Sequence, residues 1–597
     1  MTVPGLISGS LDPRALRQGL LRILRLRVWI AERLRPSQWQ ATLFWAALAG
    51  VLGALGSLAF KLGTEGIHQL LTGSTEGVVE SFRIMPWWAR LGVPALGGLL
   101  AGLVLMLGRR LTRDQSSTDY MEAIVIGTGR VPVRTSLVKI GAALFSIGSG
   151  GSIGREGPMV QLAAVLSSRL GRWRRFSPPQ LRLLVACGAS AGIASAYNAP
   201  IAGAFFVAEI ILGSIAMESL GPLVAASVAA MLTIRTLMDV HALYSVPPFT
   251  LGSLWEMGAY LVLGLLAGTL APWFLRSLRK AEGFFLAFHL PTALRLALGG
   301  LVVGALAIRV PEVCGNGYSV VLDILNGRVV WGWLVLVMAC KWLATAASFG
   351  SGAPGGVFTP SLFMGASLGY LYGSLVHAFW PMGAADPQAF ALVGMGAFLS
   401  AATHAPVMAV ILLFEMTLSY DIILPLMACS VVAYYTARSL EGHSLYSEAL
   451  KKKAAAQPVE TVACVEQLMK VDPPRIPSNA PFSEIARMFL SVRVNNLYVT
   501  DGENRFQGVI ALHDIKSYLN EPDLAQLVIA ADIMREDFPR LDPALSIDHA
   551  LGRFLGLQAE RLPVVGSGDT LVGSLAKNDL LLAIEERLRR RASDRGS

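Results

Sequence analysis

A glutamate in the run Gly154-Arg155-Glu156-Gly157-Pro158 stands between a glycine-rich stretch and the mostly apolar stretch Met159 to Leu166. That placement reads as a loop feeding a helix. The first turn of a helix carries N–H groups without intrahelical partners, so such an end attracts anions. Pro158 fits that first turn, where a missing N–H costs nothing. Gly355-Gly356-Val357-Phe358-Thr359-Pro360 builds the same kind of end with no charge in it. Two positive dipole ends converging on one site could hold an anion without a full positive charge nearby. Binding of that kind is weak enough for the ion to leave again. Glu156 is the odd member, an acid where the backbone invites a foreign anion. Two readings are open: its carboxylate caps a helix N-terminus, or it occupies the anion's place as a plug that protonation removes. A setting at membrane depth favours the plug, because ionisable residues there are costly and functional by default.

The elements around these loops point to that setting. Of the 597 residues 53% are hydrophobic and only 15% charged, against about 25% charged in an ordinary soluble domain. Apolar runs extend from near Trp39 to about Ser439, and Lys451, Lys452 and Lys453 then open a stretch of ordinary soluble composition. Leu91 to Leu107, Met257 to Leu275 and Ile422 to Ala437 approach the ~20 residues of a spanning helix. Other runs are short and cut by Gly or Pro, and the 60 glycines suit tightly packed or interrupted helices. Unpaired backbone is costly in lipid, so broken helices at that depth belong where they line a cavity or are buried in protein.

The broken segments occur twice. Ser146 to Pro158 matches Ser348 to Pro360 at a constant offset of 202, with six of thirteen positions identical, and Lys139 and Lys341 keep the same offset. Gly188, Ala199-Pro200 and Glu209 correspond to Gly394, Ala405-Pro406 and Glu415 at an offset of 206. Paired interruptions at matching places in two halves are the sequence pointer to a midplane site in inverted-repeat transporters. The segment from Asp12 to Arg35 carries seven arginines, namely Arg14, Arg17, Arg22, Arg25, Arg27, Arg33 and Arg35. They place the N-terminus in the cytoplasm and suit a solvated or headgroup-facing amphipathic helix. The five cysteines are scattered without a CxxC pair, which argues against a disulfide framework or a zinc site.

The runs at 148–158 and 355–360, with a later Leu445-Tyr446, together resemble the three signatures of the ClC family of chloride channels and chloride/proton antiporters, over about residues 40 to 450. The resemblance implies a homodimer with one pore per subunit and Glu156 as the gating glutamate. It also implies backbone groups of Gly154, Arg155 and Gly157 at an outer anion site. Backbone amides of Gly356, Val357 and Phe358 and the Tyr446 hydroxyl would serve a central one. Two departures stand out. Most family members carry a serine in a GSGIP-like motif, whereas counting back from Lys139 and Glu156 puts Gln115 there, with Ser116 and Ser117 one or two residues on. These three form a candidate zone, and a plain cytoplasmic loop with a helix cap is the other reading of the stretch. Antiporters of the family often carry a second, inner glutamate, and the matching position here is Ile210. Glu209 beside it and Glu415 in the second half read as structural buried carboxylates.

After the membrane part come two similar halves ending in Gly508 to Asp514 and Gly573 to Asp579, which resemble CBS repeats. In some members the corresponding aspartates hold the ribose of an adenine nucleotide. Ala511 and Ala576 replace the motif's hydroxyl residue, which leaves Asp514 and Asp579 either as ribose ligands or as parts of a structural module. The expected organisation is a basic cytoplasmic segment (1–38), a membrane domain (39–450), a linker (451–462), two CBS-like modules (463–521 and 530–587) and a basic tail (588–597). The expected fold is an all-α polytopic domain of two inverted repeats with broken helices, followed by an α+β tandem CBS pair. The expected function is a passive chloride channel, multi-pass in the cell membrane, in a bacterium the inner one, with both termini cytoplasmic. Its partners are chloride, the lipid bilayer and a second copy of itself, with no metal, enzymatic activity, resident cofactor or nucleic acid. Proton-coupled exchange by another internal route is the first alternative, and a nucleotide sensor with little transport the second. A CBS-bearing magnesium channel would place carboxylates in its pore, whereas these broken helices present N-termini.

Overall fold

The computed structural model describes residues 38–112, 119–125, 127–238, 256–380, 386–442, 444, 446, 464–492, 495–515, 527–554, 559–581 and 583–584. The chain divides into two compact units, Met1–Ala456 and Gln457–Ser597. The first unit is helical. Its first half holds α1 (Gln38–Thr72), α2 (Val78–Ile84), α3 (Trp87–Leu111), α4 (Tyr120–Val125), α5 (Val133–Gly148), α6 (Glu156–Trp173), α7 (Pro178–Tyr197), α8 (Pro200–Phe205) and α9 (Met217–Leu237). Its second half holds α10 (Glu256–Ala287), α11 (Thr292–Arg309), α12 (Tyr318–Leu325), α13 (Trp331–Gly350), α14 (Phe358–Phe379), α15 (Pro387–Thr403), α16 (Pro406–Thr417) and α17 (Ile423–Leu440). Among the described residues eight helices are long and apolar enough to cross a membrane, and only 33% to 50% of an 18-residue apolar stretch in each is buried inside the protein. The apolar remainder suits contact with lipid tails.

The helices α3 to α9 recur in order as α11 to α17, and contacts between the halves are reciprocal. A Cβ on Gly98 of α3 would strike the Leu296 carbonyl of α11, and one on Gly300 would strike the Pro94 carbonyl of α3. Both members of each contact move by the same 202 positions, which is the mark of a two-fold relation. Glycine at these places lets the two backbones touch.

A second reciprocal contact involves the two acids. The Glu209 carboxylate accepts from the N–H groups of Val407 (3.3 Å) and Met408 (2.7 Å), at the start of α16. Glu415, on α16, accepts from Ile201 (3.0 Å) and Ala202 (2.7 Å), at the start of α8. Each repeat thus caps a helix of the other, and a wide π turn at Phe206–Ile211 carries Glu209 into place. Both acids are structural, as the sequence suggests. Glu209→Ala or Glu415→Ala would leave the first N–H groups of a helix without their acceptor, one of them on a buried residue, with an expected loss of about 1–3 kcal/mol of stability. Thermal unfolding in detergent checks this, and midpoints equal to wild type would contradict it.

The second unit contains two three-stranded sheets. One orders β2 (Arg475–Pro477), β3 (Asn496–Thr500) and β4 (Phe506–Ala511), while the other orders β1 (Lys470–Val471), β6 (Leu571–Ala576) and β5 (Arg561–Val565). Each sheet packs a short amphipathic helix, α18 (Phe482–Val492) on the first and α20 (Ile547–Phe554) on the second, and α19 (Ala530–Ile533) adds to the first core. Tyr498, Phe506, Val509, Val565 and Leu571 form a shared apolar seam between the two modules.

Candidate anion pathway

The loops that precede α6 and α14 turn sharply just after α5 and α13. Gly150 (φ 90°) and Gly352 (φ 89°) make these turns at equivalent positions in the left-handed region, which favours glycine. The loops then pair. Gly154 N donates to Gly356 O at 2.6 Å, and Gly356 N donates to Gly154 O at 2.8 Å, an antiparallel bridge between the repeats. Ser152 reinforces it, its N–H donating to Ser348 Oγ and its hydroxyl meeting Thr345, both at 3.1 Å. The seam sets the N-termini of α6 and α14 side by side. Their first-turn N–H groups lie around one place, where negative charge is favoured.

The Glu156 side chain fills that place. The residue is 3% exposed, and its carboxylate lies over the bridge, where a Cβ on Gly154 or Gly356 would meet Oε2. Oε1 accepts a hydrogen bond from the Thr359 hydroxyl. Oε2 is buried with no hydrogen-bond partner among the described residues. An aromatic wall borders the site. Ring centroids are 5.1 Å apart for Tyr197 and Phe358, 6.3 Å for Phe206 and Phe358, and 5.8 Å for Phe206 and Tyr446. On another side Arg155, its guanidinium 5.8 Å from the Tyr318 ring centre, borders a recess of about 640 Å³ that Lys61, Glu65, His68, Glu76 and Asn316 also line.

Gly154, Arg155, Glu156, Gly157, Gly356, Val357 and Phe358 therefore come together, and Tyr446 joins them through Phe206. Gln115, Ser116 and Ser117 lie outside the described residues. Ile210 is half-buried in the π turn, beside an acid whose carboxylate is spent on α16. In the second unit Asp514 is already engaged: Oδ1 accepts from Arg535 Nη2 at 2.5 Å and Oδ2 from Ala511 N at 3.1 Å. Asp579 is exposed beside a recess of about 430 Å³ with Glu560, Arg561 and Lys577. Two linked hydroxyls that end at Glu156 have no individual signal in the sequence. Thr359 sits inside the glycine-rich signature, and Tyr197, whose hydroxyl is 3.1 Å from that of Thr359, ends an apolar helix.

Known proteins show the same pattern. Residues 97–438 match the family model described as "Voltage gated chloride channel", and residues 465–521 and 530–586 each match that of the CBS domain. The ClcB-like chloride channel protein of Ralstonia nicotianae is 52% identical over 411 residues, 68% of this chain and 96% of that one. The voltage-gated ClC-type chloride channel ClcB of Salmonella typhi is 40% identical over 410 residues, 68% of this chain and 97% of that one. A slow cyanobacterial Cl-/H+ antiporter superposes with a TM-score of 0.62 at 27% identity, covering 70% of this chain and 99% of its own. A eukaryotic CLC transporter shares the fold at 19% identity and a TM-score of 0.59, covering 90% of this chain and 97% of its own. With its paired helix N-termini, its spanning helices and these relatives, the chain is a multi-pass membrane protein of the ClC family of chloride transporters, carrying two CBS domains after the membrane domain.

Proposed function

We propose that the protein is a passive chloride channel, working as a homodimer with one pore per subunit and with Glu156 as the gate. The observation that carries this reading is the Glu156 carboxylate itself, buried where two helix N-termini meet, with one oxygen unpartnered. A carboxylate there stands in for the anion. When it is neutralised or swings aside, backbone groups of Gly154, Arg155 and Gly157 receive the ion at an outer site. Gly356, Val357, Phe358 and the Tyr446 hydroxyl receive it further in, with Gln115, Ser116 or Ser117 completing the central site. Passive flow is supported by Ile210, which cannot hold a proton, and by Glu209, whose oxygens are committed to Val407 and Met408. Exchange with protons is the second reading, favoured by the likeness to the cyanobacterial antiporter.

Both termini lie in the cytoplasm in this account, and the CBS pair is a structural module. The hold of Arg535 on Asp514 and the alanines at 511 and 576 support weak or absent nucleotide binding. Currents in planar bilayers test the channel reading. With a chloride gradient across the membrane, the reversal potential is expected at the chloride equilibrium potential, and an added pH gradient should leave it there. A reversal potential that moves with the pH gradient would instead assign the protein to the exchangers.

A further inference from the structure

Thr359 is the second residue of α14 and is fully buried, directly after Phe358. Its hydroxyl has one hydrogen, and that hydrogen goes to Glu156 Oε1. Thr359 can then only accept from Tyr197, the last residue of α7, whose phenol is 3.1 Å away and fully buried. The donors run in one direction, from Tyr197 to Thr359 to the carboxylate. One comes from each repeat, so the chain of hydroxyls crosses the same seam as the Gly154 and Gly356 bridge.

Buried hydroxyls are costly unless hydrogen-bonded, and alanine and phenylalanine would fill these positions without that cost. Mutual bonding alone does not account for the pair, since it would use one hydrogen and leave the other idle. Here the free hydrogen points into the site. If the carboxylate leaves, the Thr359 hydroxyl loses its acceptor while still facing the space over Gly154 and Gly356. An anion entering that space takes the same hydrogen.

We infer that Thr359 and Tyr197 form a hydroxyl pair with two alternating acceptors in one place: it latches Glu156 when the pathway is shut and donates to the anion when Glu156 is away. The inference rests on Glu156 being the gate. It adds one side-chain donor to the outer site, which the proposed function builds from backbone groups of Gly154, Arg155 and Gly157. Tyr197 acts through Thr359 and is a positioning residue, whereas Thr359 touches both occupants.

The test compares wild type, Glu156→Ala, Thr359→Val, their double mutant, Thr359→Ser and Tyr197→Phe. Chloride efflux from proteoliposomes reads the latch, and chloride-binding heats of purified protein read the anion site. Thr359→Val alone is expected to raise efflux about tenfold, the loss of one hydrogen bond to a charged acceptor. In the Glu156→Ala background no latch remains, and adding Thr359→Val should weaken chloride binding by about tenfold. Thr359→Ser, which keeps the hydroxyl, should recover most of what Thr359→Val changes in both assays, and Tyr197→Phe should shift both in the direction of Thr359→Val by less. If Thr359→Val does not fold, Tyr197→Phe, which removes only an oxygen, decides the matter by the same two readouts. Unaltered efflux and unaltered chloride affinity would overturn the inference while Glu156→Ala still raised flux. A Glu156→Ala protein with wild-type flux would overturn the gate itself.

Discussion

Replacing Glu156 by glutamine is expected to raise chloride efflux by about tenfold or more, because a carboxylate at a partly buried helix N-terminus is held by up to ~2 kcal/mol. For a gate with two states, that energy changes the ratio of shut to open by about 30-fold. Glutamine keeps the shape and can still accept from Thr359, so the charge alone is tested. Glu156→Ala, which removes the acceptor as well, should open the pathway at least as far. The pH dependence follows in sign. In wild type a falling external pH neutralises the carboxylate and increases flux, whereas neither mutant has a proton to gain there, so flux stays high and flat. Efflux measured across a range of external pH checks this. A pH dependence that survives in both mutants would place the gate elsewhere.

The largest effect on stability is expected at Lys341. It is fully buried on α13, and its ammonium donates to the carbonyls of Val313 (2.8 Å) and Gly315 (2.7 Å). Hydrogen bonds to a charged group contribute about 1.5–3 kcal/mol each, and an orphaned buried carbonyl carries its own desolvation cost. Lys341→Ala therefore should lose about 3–5 kcal/mol, counting the cavity it leaves. The damage reaches the anion site, because Gly315 N donates to Gly150 O at 3.0 Å, in the loop that leads to Glu156. Lys341→Met, which keeps the stem and loses the donors, should lie between alanine and wild type. Thermal unfolding in detergent measures both, and an alanine variant as stable as wild type would contradict this role.

The sequence carries much of this architecture because the repeat is written in residue types with few substitutes. Gly154 and Gly356, Gly150 and Gly352, and Glu209 and Glu415 keep their offsets because close backbone approach, left-handed turns and reciprocal caps each demand a particular residue. The same logic stops at environments. Lys139 and Lys341 share an offset, yet Lys341 is sealed among carbonyls, whereas Lys139 is partly exposed 3.4 Å from Asp119. Thr359 meets Glu156, and Tyr197 meets Thr359, across separations of 203 and 162 residues that no periodicity links. The ion pair of Arg535 and Asp514 was equally hidden, since a basic residue 21 positions away has many places to go. The π turn at Phe206–Ile211 leaves no trace either, because its apolar residues suit an ordinary helix.

Whether chloride moves without protons is tested most directly in proteoliposomes under an outward chloride gradient, with voltage clamped by a potassium ionophore and external pH recorded. Passive flow through a gate at Glu156 predicts chloride efflux with no accompanying uphill proton movement. Chloride-dependent uphill proton movement that disappears in Glu156→Gln would contradict the channel account and make the protein an exchanger whose inner proton route does not need an acid at position 210.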